Sequence, residues 1–479
     1  MALYHFSPPS GWMNDPNGLV YYHGKWHLFY QHIPDSESRQ HWGHAFSHDL
    51  LHWQHLPIAL YPDSLGNIWS GCVVVDEHDS SGFFDGGSGL VAVFTHQVEG
   101  AQRQSLAFSQ DEGTTWTKYA HNPVLTGESP DFRDPKVFWH TPTSRWVMIL
   151  ATGGCVSFYN SHNLKKWSYT SSFGADWVEP GNIWECPDIF PLGVDGEGQH
   201  IRWVLHASLI SNNETEHGFG ACRMRYFTGN FDGFKFHPEY AAPTSYGADD
   251  YAGITWNNAP DAERIFISWL SNWAYAWTAH HQGQQEQMSI PRRLALKAFS
   301  SGIALVQTPA IDLQPLLSHS LTWDNFSLAN GRMRLVEHTG DAFKLQVEFE
   351  PASAREFGLS LRQGSAEHTL VGYDAAHNLL FLDRMQSSNT LFSQVGSFHP
   401  RFNERHTVPL APHEGCISLD IFVDQCSVEV FGNDGQVVLS DLIYPQADSQ
   451  ALEIFAVGGE VHIVKMILSS IQEPTLPAS

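Results

Sequence analysis

Ser47-His48-Asp49-Leu50-Leu51-His52-Trp53 returns later in the chain as Ser109-Gln110-Asp111, leading to Trp116, and again as Ser161-His162-Asn163-Leu164, leading to Trp167. A weaker copy, Gly229-Asn230-Phe231-Asp232-Gly233, leads to Phe234. The closing aromatics stand 63, 51 and 67 residues apart. Between them run short stretches rich in β-branched and aromatic residues, at Trp26–Tyr30, Leu90–Thr95, Trp146–Ala151, Trp203–Ala207 and Arg264–Trp269, separated by turns of Gly, Asn, Asp and Pro. No convincing amphipathic helix interrupts them. Units of this length, each holding several strands, are the signature of a β-propeller, in which one blade buries its faces only against its neighbours. Five units can be counted, so residues 1–300 are expected to form a five-bladed β-propeller.

The same repeat points to a site. Asp134 lies 18 residues after Trp116 and Glu185 lies 18 after Trp167, while Gly71, beside Trp69 and Ser70, lies 18 after Trp53 and Tyr251 lies 17 after Phe234. Equivalent positions in successive blades are related by rotation about the propeller axis. If that position opens the innermost strand of each blade, these residues form a ring around the central channel. A structural repeat alone would not select acids there, because like charges brought together cost stability.

Three carboxylates stand out by their settings: Asp15 in Trp12-Met13-Asn14-Asp15-Pro16-Asn17-Gly18, Asp134 in Phe132-Arg133-Asp134-Pro135-Lys136, and Glu185 in Trp184-Glu185-Cys186-Pro187-Asp188. Taken singly, each has an ordinary explanation: Asp-Pro and Asp-Pro-Asn are common turns, and a Glu solvates an edge strand. Taken together, they suit hydrolysis of a glycosidic bond. One carboxyl protonates the leaving oxygen, and a second, ionised, acts as nucleophile or as base for water. Glu185 follows a Trp, which favours the protonated form, and Asp15 lies in a polar Asn-rich turn, which favours the ionised one.

Composition narrows the partners. The 479 residues exceed what one core usually serves, so two domains are expected. With 51 Asp and Glu against 26 Lys and Arg, the formal charge of −25 disfavours nucleic acid and strongly anionic substrates. The 17 Trp and 30 Phe suit the apolar faces of sugars, though most such rings serve as sheet core. No apolar run approaches a membrane span and none opens the chain, so no membrane partner and a cytoplasmic location are expected. Six cysteines show no paired ligand spacing, and the acids are flanked by Pro, Asn, Arg and Trp, so no metal and no organic cofactor is expected.

These motifs resemble glycoside hydrolase family 32, the invertases, exo-inulinases and levanases. The resemblance runs through Trp42-Gly43-His44-Ala45, Trp69-Ser70-Gly71, Tyr246-Gly247-Ala248-Asp249-Asp250-Tyr251-Ala252, Ser271-Asn272-Trp273 and Met288-Ser289-Ile290-Pro291-Arg292-Arg293 as well as the three acid motifs. It implies retaining exo-hydrolysis of terminal non-reducing β-D-fructofuranosyl residues in sucrose, fructo-oligosaccharides, inulin or levan. By that resemblance Asp15 is the nucleophile, Glu185 the acid/base, and Asp134, with Arg133, the group that holds fructose hydroxyls. Asn14, Gln31, Trp42, Trp69 and Ser70 would line the fructose pocket, with Tyr251 and Trp273 on the same wall. Fructosyltransferase, sucrose-6-phosphate hydrolase and a non-catalytic fructan-binding propeller are the alternatives, and the last would predict loss of a carboxylate.

Two segments depart from the family pattern. Ile33–Gln40 is short and polar, and Gln284-Gln285-Glu286-Gln287 stands where the family carries a Trp and an Arg. Both changes predict an open leaving-group side that tolerates oligosaccharides. After a linker at 301–319, the alternating apolar pattern of residues 320–479 predicts a β-sandwich, with runs at Phe343–Phe349, Ile417–Val423 and Cys426–Phe431 and a turn at Asn433-Asp434-Gly435. No convergent catalytic set appears there, which leaves a supporting or assembly role.

Overall fold

A computed structural model describes residues 2–178, 180–211, 222–388 and 402–472. The first four-stranded antiparallel blade is β1 (Trp12–Tyr22), β2 (Lys25–Ile33), β3 (His41–Ser47) and β4 (Trp53–Leu60). The second is β5 (Asn67–Asp76), β6 (Gly89–Val98), β7 (Ala101–Ser109) and β8 (Thr117–Lys118), with β9 (Leu125–Thr126) also on β7. The third is β10 (Arg133–His140), β11 (Arg145–Ala151), β12 (Val156–Ser161) and β13 (Ser168–Phe173). The fourth is β14 (Asn182–Val194), β15 (Glu197–Ser211), β16 (Cys222–Phe231) and β17 (Phe236–Pro243). The fifth is β18 (Tyr251–Thr255), β19 (Ile265–Trp269), β20 (Arg292–Phe299) and β21 (Gly302–Pro309). The ring closes between the last blade and the first, where Tyr21 N donates to Asn257 O (2.9 Å) and Asn257 N to Leu19 O (3.0 Å).

The repeated phrase turns out to be the turn between the third and fourth strands of a blade. Asp49 Oδ1 accepts the N–H groups of Leu51 and His52, Asn163 Oδ1 those of Lys165 and Lys166, and Asp232 Oδ1 those of Phe234 and Lys235. The closing Trp then caps the turn: Trp53, Trp116 and Trp167 donate their indole N–H to the carbonyls of Leu50, Gly113 and Leu164. Short polar side chains that accept from the backbone two or three residues on stabilise such turns without tertiary help. From the closing aromatic, the chain runs along the outer strand and returns to the axis, which fixes the interval of about 18 residues.

All five inner strands break register near the start. The shifts fall between Met13 and Pro16, Trp69 and Gly71, Arg133 and Lys136, Glu185 and Asp188, and Tyr251 and Ile254. In three of them a non-glycine residue takes a left-handed conformation: Asp134 (φ 62°), Cys186 (φ 43°) and Ala252 (φ 54°). A bulge re-aims the side chains around it, and here each turns residues into the channel mouth. Six-residue helix α1 (Ala276–His281), between β19 and β20, was not expected, since one and a half turns are too short to show an amphipathic period.

Two six-stranded sheets follow. One is ordered β22 (Leu317–Leu328), β33 (Val461–Ile471), β24 (Phe343–Glu350), β29 (Ile417–Asp424), β30 (Ser427–Gly432), β31 (Val437–Leu442). The other is β23 (Gly331–Val336), β32 (Ala451–Val457), β25 (Glu356–Gln363), β26 (His368–Asp374), β27 (Leu379–Gln386), β28 (Arg405–Pro409). Phe343, Leu345, Val347 and Phe349 turn inward on alternate positions to a core shared with Leu359, Val371 and Leu382. The all-β architecture of propeller and sandwich is thus the one the sequence predicts, but the expected linker at 301–319 is shorter, since β21 pairs with β20 in the fifth blade and β22 already starts at Leu317. Among the described residues all six cysteines are free thiols.

Candidate active site

Asp15 reaches the channel from the bulge of β1 and is buried, with 8 % exposure. Asn14 Nδ2 donates to its Oδ1 (3.0 Å), and Ser70 Oγ donates to its Oδ2 (2.6 Å). Gln31 Nε2 donates to Ser70 Oγ (2.5 Å) and, more distantly, to Asp15 Oδ2 (3.4 Å). Asn14 is itself fixed by the Trp12 indole N–H (2.8 Å) and Gln40 Nε2 (2.9 Å), both on its Oδ1. Burial and the charge of Glu185 raise the Asp15 pKa, while the donors Ser70, Asn14 and Cys186 hold it down. The polar turn therefore does not by itself keep Asp15 an ordinary acid: the closed propeller takes it out of water.

Asp134 and Glu185 come from neighbouring blades. Arg133 lies between them, its Nη2 donating to Glu185 Oε1 (3.0 Å) and its Nε standing 3.8 Å from Asp134 Oδ2. Asp131 (2.5 Å) and Gln102 (3.3 Å) orient the same guanidinium. Cys186 ties all three acids together: it follows Glu185, its N–H donates to Asp134 Oδ2 (3.0 Å), and its Sγ–H points at Asp15 Oδ2 (3.4 Å). Burial pushes the Asp134 pKa up to about 7 against the opposing pull of Arg133, with Glu185 and Asp15 adding to the rise. The second oxygen of Glu185, Oε2, accepts the Tyr251 hydroxyl (2.5 Å).

Trp184 does not press on Glu185, contrary to what their adjacency in sequence suggests. Trp184 has no exposed surface and stacks on Phe227 in the core between blades, because adjacent strand residues face opposite ways. Glu185 keeps a side-chain exposure of 21 %, more open than Asp15.

Asn14, Gln31, Ser70, Arg133 and Tyr251 thus all touch a carboxylate directly or through one partner. Trp69 stays partly exposed at the rim. Trp42 is wholly buried and supports the rim from behind, its indole N–H donating to Trp69 O (3.0 Å). Trp273 packs on Trp269 (4.7 Å between ring centroids) and stands 5.9 Å from Trp12. Sequence reading passed over Gln40, Cys186 and, from α1, Trp277, which stacks on Trp12 at 3.6 Å with an interplanar angle of 10° and stays 42 % exposed. Trp277 had no motif to announce it. Cys186 and Gln40 sat inside or beside quoted motifs but lacked a chemistry of their own.

Beneath the acids the channel is closed by a salt bridge between Lys136 Nζ and Asp188 Oδ2 (3.3 Å), and Thr255 donates to the same Asp188 oxygen through N and Oγ1 (2.7 Å each). Among the described residues no group of three or more His, Cys, Asp or Glu side chains is placed to hold a metal ion.

Residues 5–309 match the glycosyl hydrolases family 32 N-terminal domain, and residues 313–470 match the glycosyl hydrolases family 32 C-terminal domain. The chain is 44% identical over 484 residues to a levanase of Bacillus subtilis (strain 168), covering 98% of this chain and 70% of that one. The crystal structure of an exo-inulinase from Aspergillus awamori superposes with a TM-score of 0.89 at 34% identity, over 98% of both chains. A fructofuranosidase variant from Schwanniomyces occidentalis, complexed with fructosylnystose, superposes with a TM-score of 0.86 at 27% identity, over 98% of this chain and 97% of that one. With both domains matched in order, and with three carboxylates meeting where five inner strands bulge into one channel, the chain belongs to glycosyl hydrolase family 32.

Proposed function

We propose that this β-fructofuranosidase-type hydrolase removes terminal non-reducing β-D-fructofuranosyl residues from fructans and fructo-oligosaccharides, with retention of configuration. Asp15 is the nucleophile, Glu185 the acid/base and Asp134 the carboxyl that holds fructose hydroxyls. The observation that carries this reading is the convergence of the three acids on Cys186 and Arg133 where the inner strands bulge.

In the first step Asp15 attacks the anomeric carbon as Glu185 gives its proton to the departing glycosidic oxygen. A fructosyl ester on Asp15 results, and the leaving sugar departs. In the second step Glu185 takes a proton from water, which attacks the same carbon and releases fructose and the Asp15 carboxylate. Ser70, Asn14 and Cys186 stabilise the Asp15 charge without adding a full positive charge, so the carboxylate stays nucleophilic. Both oxygens accept hydrogen bonds, Oδ1 from Asn14 and Oδ2 from Ser70, and the one that attacks gives up part of that shell as the ester forms. Arg133 offsets the charge of the remaining acids while positive charge develops on the sugar ring.

The leaving-group side is bounded by Trp277, Gln40 and the short Ile33–Gln40 connection. The exposed indole of Trp277 offers an apolar face to a second sugar ring, and this supports tolerance of oligosaccharide leaving groups. Similarity to a levanase and to an exo-inulinase supports a polymeric or oligomeric substrate.

Azide rescue tests the roles. Asp15→Asn should abolish turnover for every leaving group. Glu185→Gln should lose most on substrates whose leaving group needs a proton, and azide should restore its second step with an activated fructoside. Rescue of Asp15→Asn but not of Glu185→Gln would reverse the assignment. Proton NMR of the first-formed product should show the β-anomer, and an α-anomer would exclude the ester.

A further inference from the structure

Tyr251 is 1 % exposed and donates its hydroxyl to Glu185 Oε2, so it fixes one oxygen of the acid/base while Arg133 fixes the other. The residues that lead into Tyr251 are held by the other domain. β31 is the last strand of its sheet, and the 246–250 segment lies along its open edge. Tyr246 N donates to Val438 O (2.9 Å) and Asp249 N to Ser440 O (3.0 Å). Ala248 N donates to Asp441 Oδ1 (2.8 Å), and Leu442 N donates back to Asp249 Oδ2 (2.7 Å). The approach is close enough that a Cβ on Gly247 would lie 2.2 Å from Ser440 O.

Buried charge reinforces this seam. Arg384 from β27 donates to Asp249 Oδ2 (2.5 Å) and to Leu442 O (2.9 Å). Arg292 from β20 bridges Asp250 Oδ2 (2.7 Å) to Glu429 Oε2 (2.6 Å) on β30. Tyr275 and Ser268 donate to the remaining oxygens of Asp249 and Asp250. Two consecutive aspartates, wholly buried and saturated with donors from both domains, sit immediately before the residue that grips Glu185. A docking surface needs no such link to the catalytic channel.

We propose that the β-sandwich is a positioning domain for the acid/base: through β31 and Arg384 it holds the 246–250 segment so that the Tyr251 phenol stays on Glu185. Tyr251 is then a positioning residue, and the sandwich fixes the orientation of a carboxyl it does not touch. This rests on the reading of Glu185 as acid/base. The groups facing Glu185 are Arg133 and Asp134 from β10, Asp15 from β1, Tyr251 from β18, Cys186 on its own strand and Cys222 on β16. Among the described residues, Tyr251 is the one of these that its neighbours in sequence tie to the sandwich.

A hydroxyl donating to a carboxylate favours the ionised form over the protonated one. Tyr251→Phe should therefore move the basic limb of kcat/KM upward by about one pH unit and lower kcat. Gly247→Ala, which pushes the segment off β31 without altering any titratable group, should move the limb the same way. The double variant Gly247→Ala/Tyr251→Phe should show no further movement. Val371→Ala, in the sandwich core on β26, should lower Tm and leave the profile in place.

Additive shifts in the double variant, or an unmoved limb in Gly247→Ala, would overturn the proposal. Should Gly247→Ala not fold, hydrogen exchange on the wild-type protein decides: amides 246–251 should be protected as strongly as those of β31, and fast exchange there refutes the proposal. Glu185→Gln separates this from the wider reading, since a basic limb that survives in that variant would show the limb not to be Glu185 at all.

Discussion

Glu286 illustrates how far one side chain can depart from what its neighbours in sequence suggest. It stands in a run of glutamines, yet it is only 7 % exposed, packed behind β1 with His280 Nδ1 at 2.9 Å from its Oε1. Burial pushes its carboxyl up to about 8 from an ordinary value of 4.5. A raised carboxylate pKa means that the native state holds the proton while the unfolded chain has lost it. The stability it contributes is intact below the unfolded value and declines as pH rises through the window from 4.5 to about 8. Glu286→Gln keeps the shape and removes the ionisation, so its Tm should exceed that of the parent at pH 8.5 and the gap should close by pH 5. A thermal series across that range checks this. A constant gap would mean that Glu286 titrates as an exposed acid does.

The strand bulges work at the scale of the element. β5 slips one register between Trp69 and Gly71, and this places Ser70 Oγ on Asp15 while Gly71 N donates to Asn17 Oδ1 (3.1 Å). Only a residue without a Cβ fits, because a Cβ on Gly71 would lie 2.1 Å from Val93 O and 2.7 Å from Phe94 Cα, both backbone atoms of β6. Gly71→Ala should force β5 away from β6 and carry Ser70 and Trp69 with it. We expect kcat to fall by about 100-fold, the scale set by misplacing a catalytic constellation by about 1 Å. Ser70→Ala deletes one hydrogen bond and leaves the strand alone, so its loss should be smaller. The comparison is made by steady-state kinetics beside thermal unfolding. Equal losses in the two variants would show that the bulge matters only through the Ser70 hydroxyl.

At the scale of the molecule, the two domains are welded by charge as well as by apolar contact. Arg292 has no exposed surface and joins Asp250 to Glu429, while His5 near the start of the chain joins Asp424 (2.8 Å) to Glu429 (2.9 Å). Burial alone would raise Glu429, but Arg292 and His5 hold its carboxyl down at about 2. That stability is present above the ordinary 4.5 and is lost as pH falls toward about 2. Arg292→Met leaves two buried carboxylates short of a partner and should cost about 3–5 kcal/mol at pH 7. The difference from the parent should shrink below pH 4, where Glu429 of the variant takes up a proton. Urea unfolding at the two pH values measures it, and a pH-independent difference would mean that packing, not charge, carries the loss.

What the sequence determined by itself was whatever a single blade encodes. The Ser-x-Asp turn is stabilised by its own side chains, so Asp49, Asp111 and Asn163 announce the blades one at a time. The fixed path from each closing Trp back to the axis then announces Asp134 and Glu185. Asp15 was legible from its Asn-rich motif. What only the tertiary structure decided was how residues from different blades and domains meet. Trp42 and Trp69 read alike in sequence, yet one is buried behind the other. Trp184 turns from Glu185 because the strand alternates. Trp277 finds Trp12 across more than half the chain, and Tyr251 depends on a strand about 190 residues further on. Such contacts follow from closing the ring and docking the sandwich on it, and a local pattern of residues carries no record of either step.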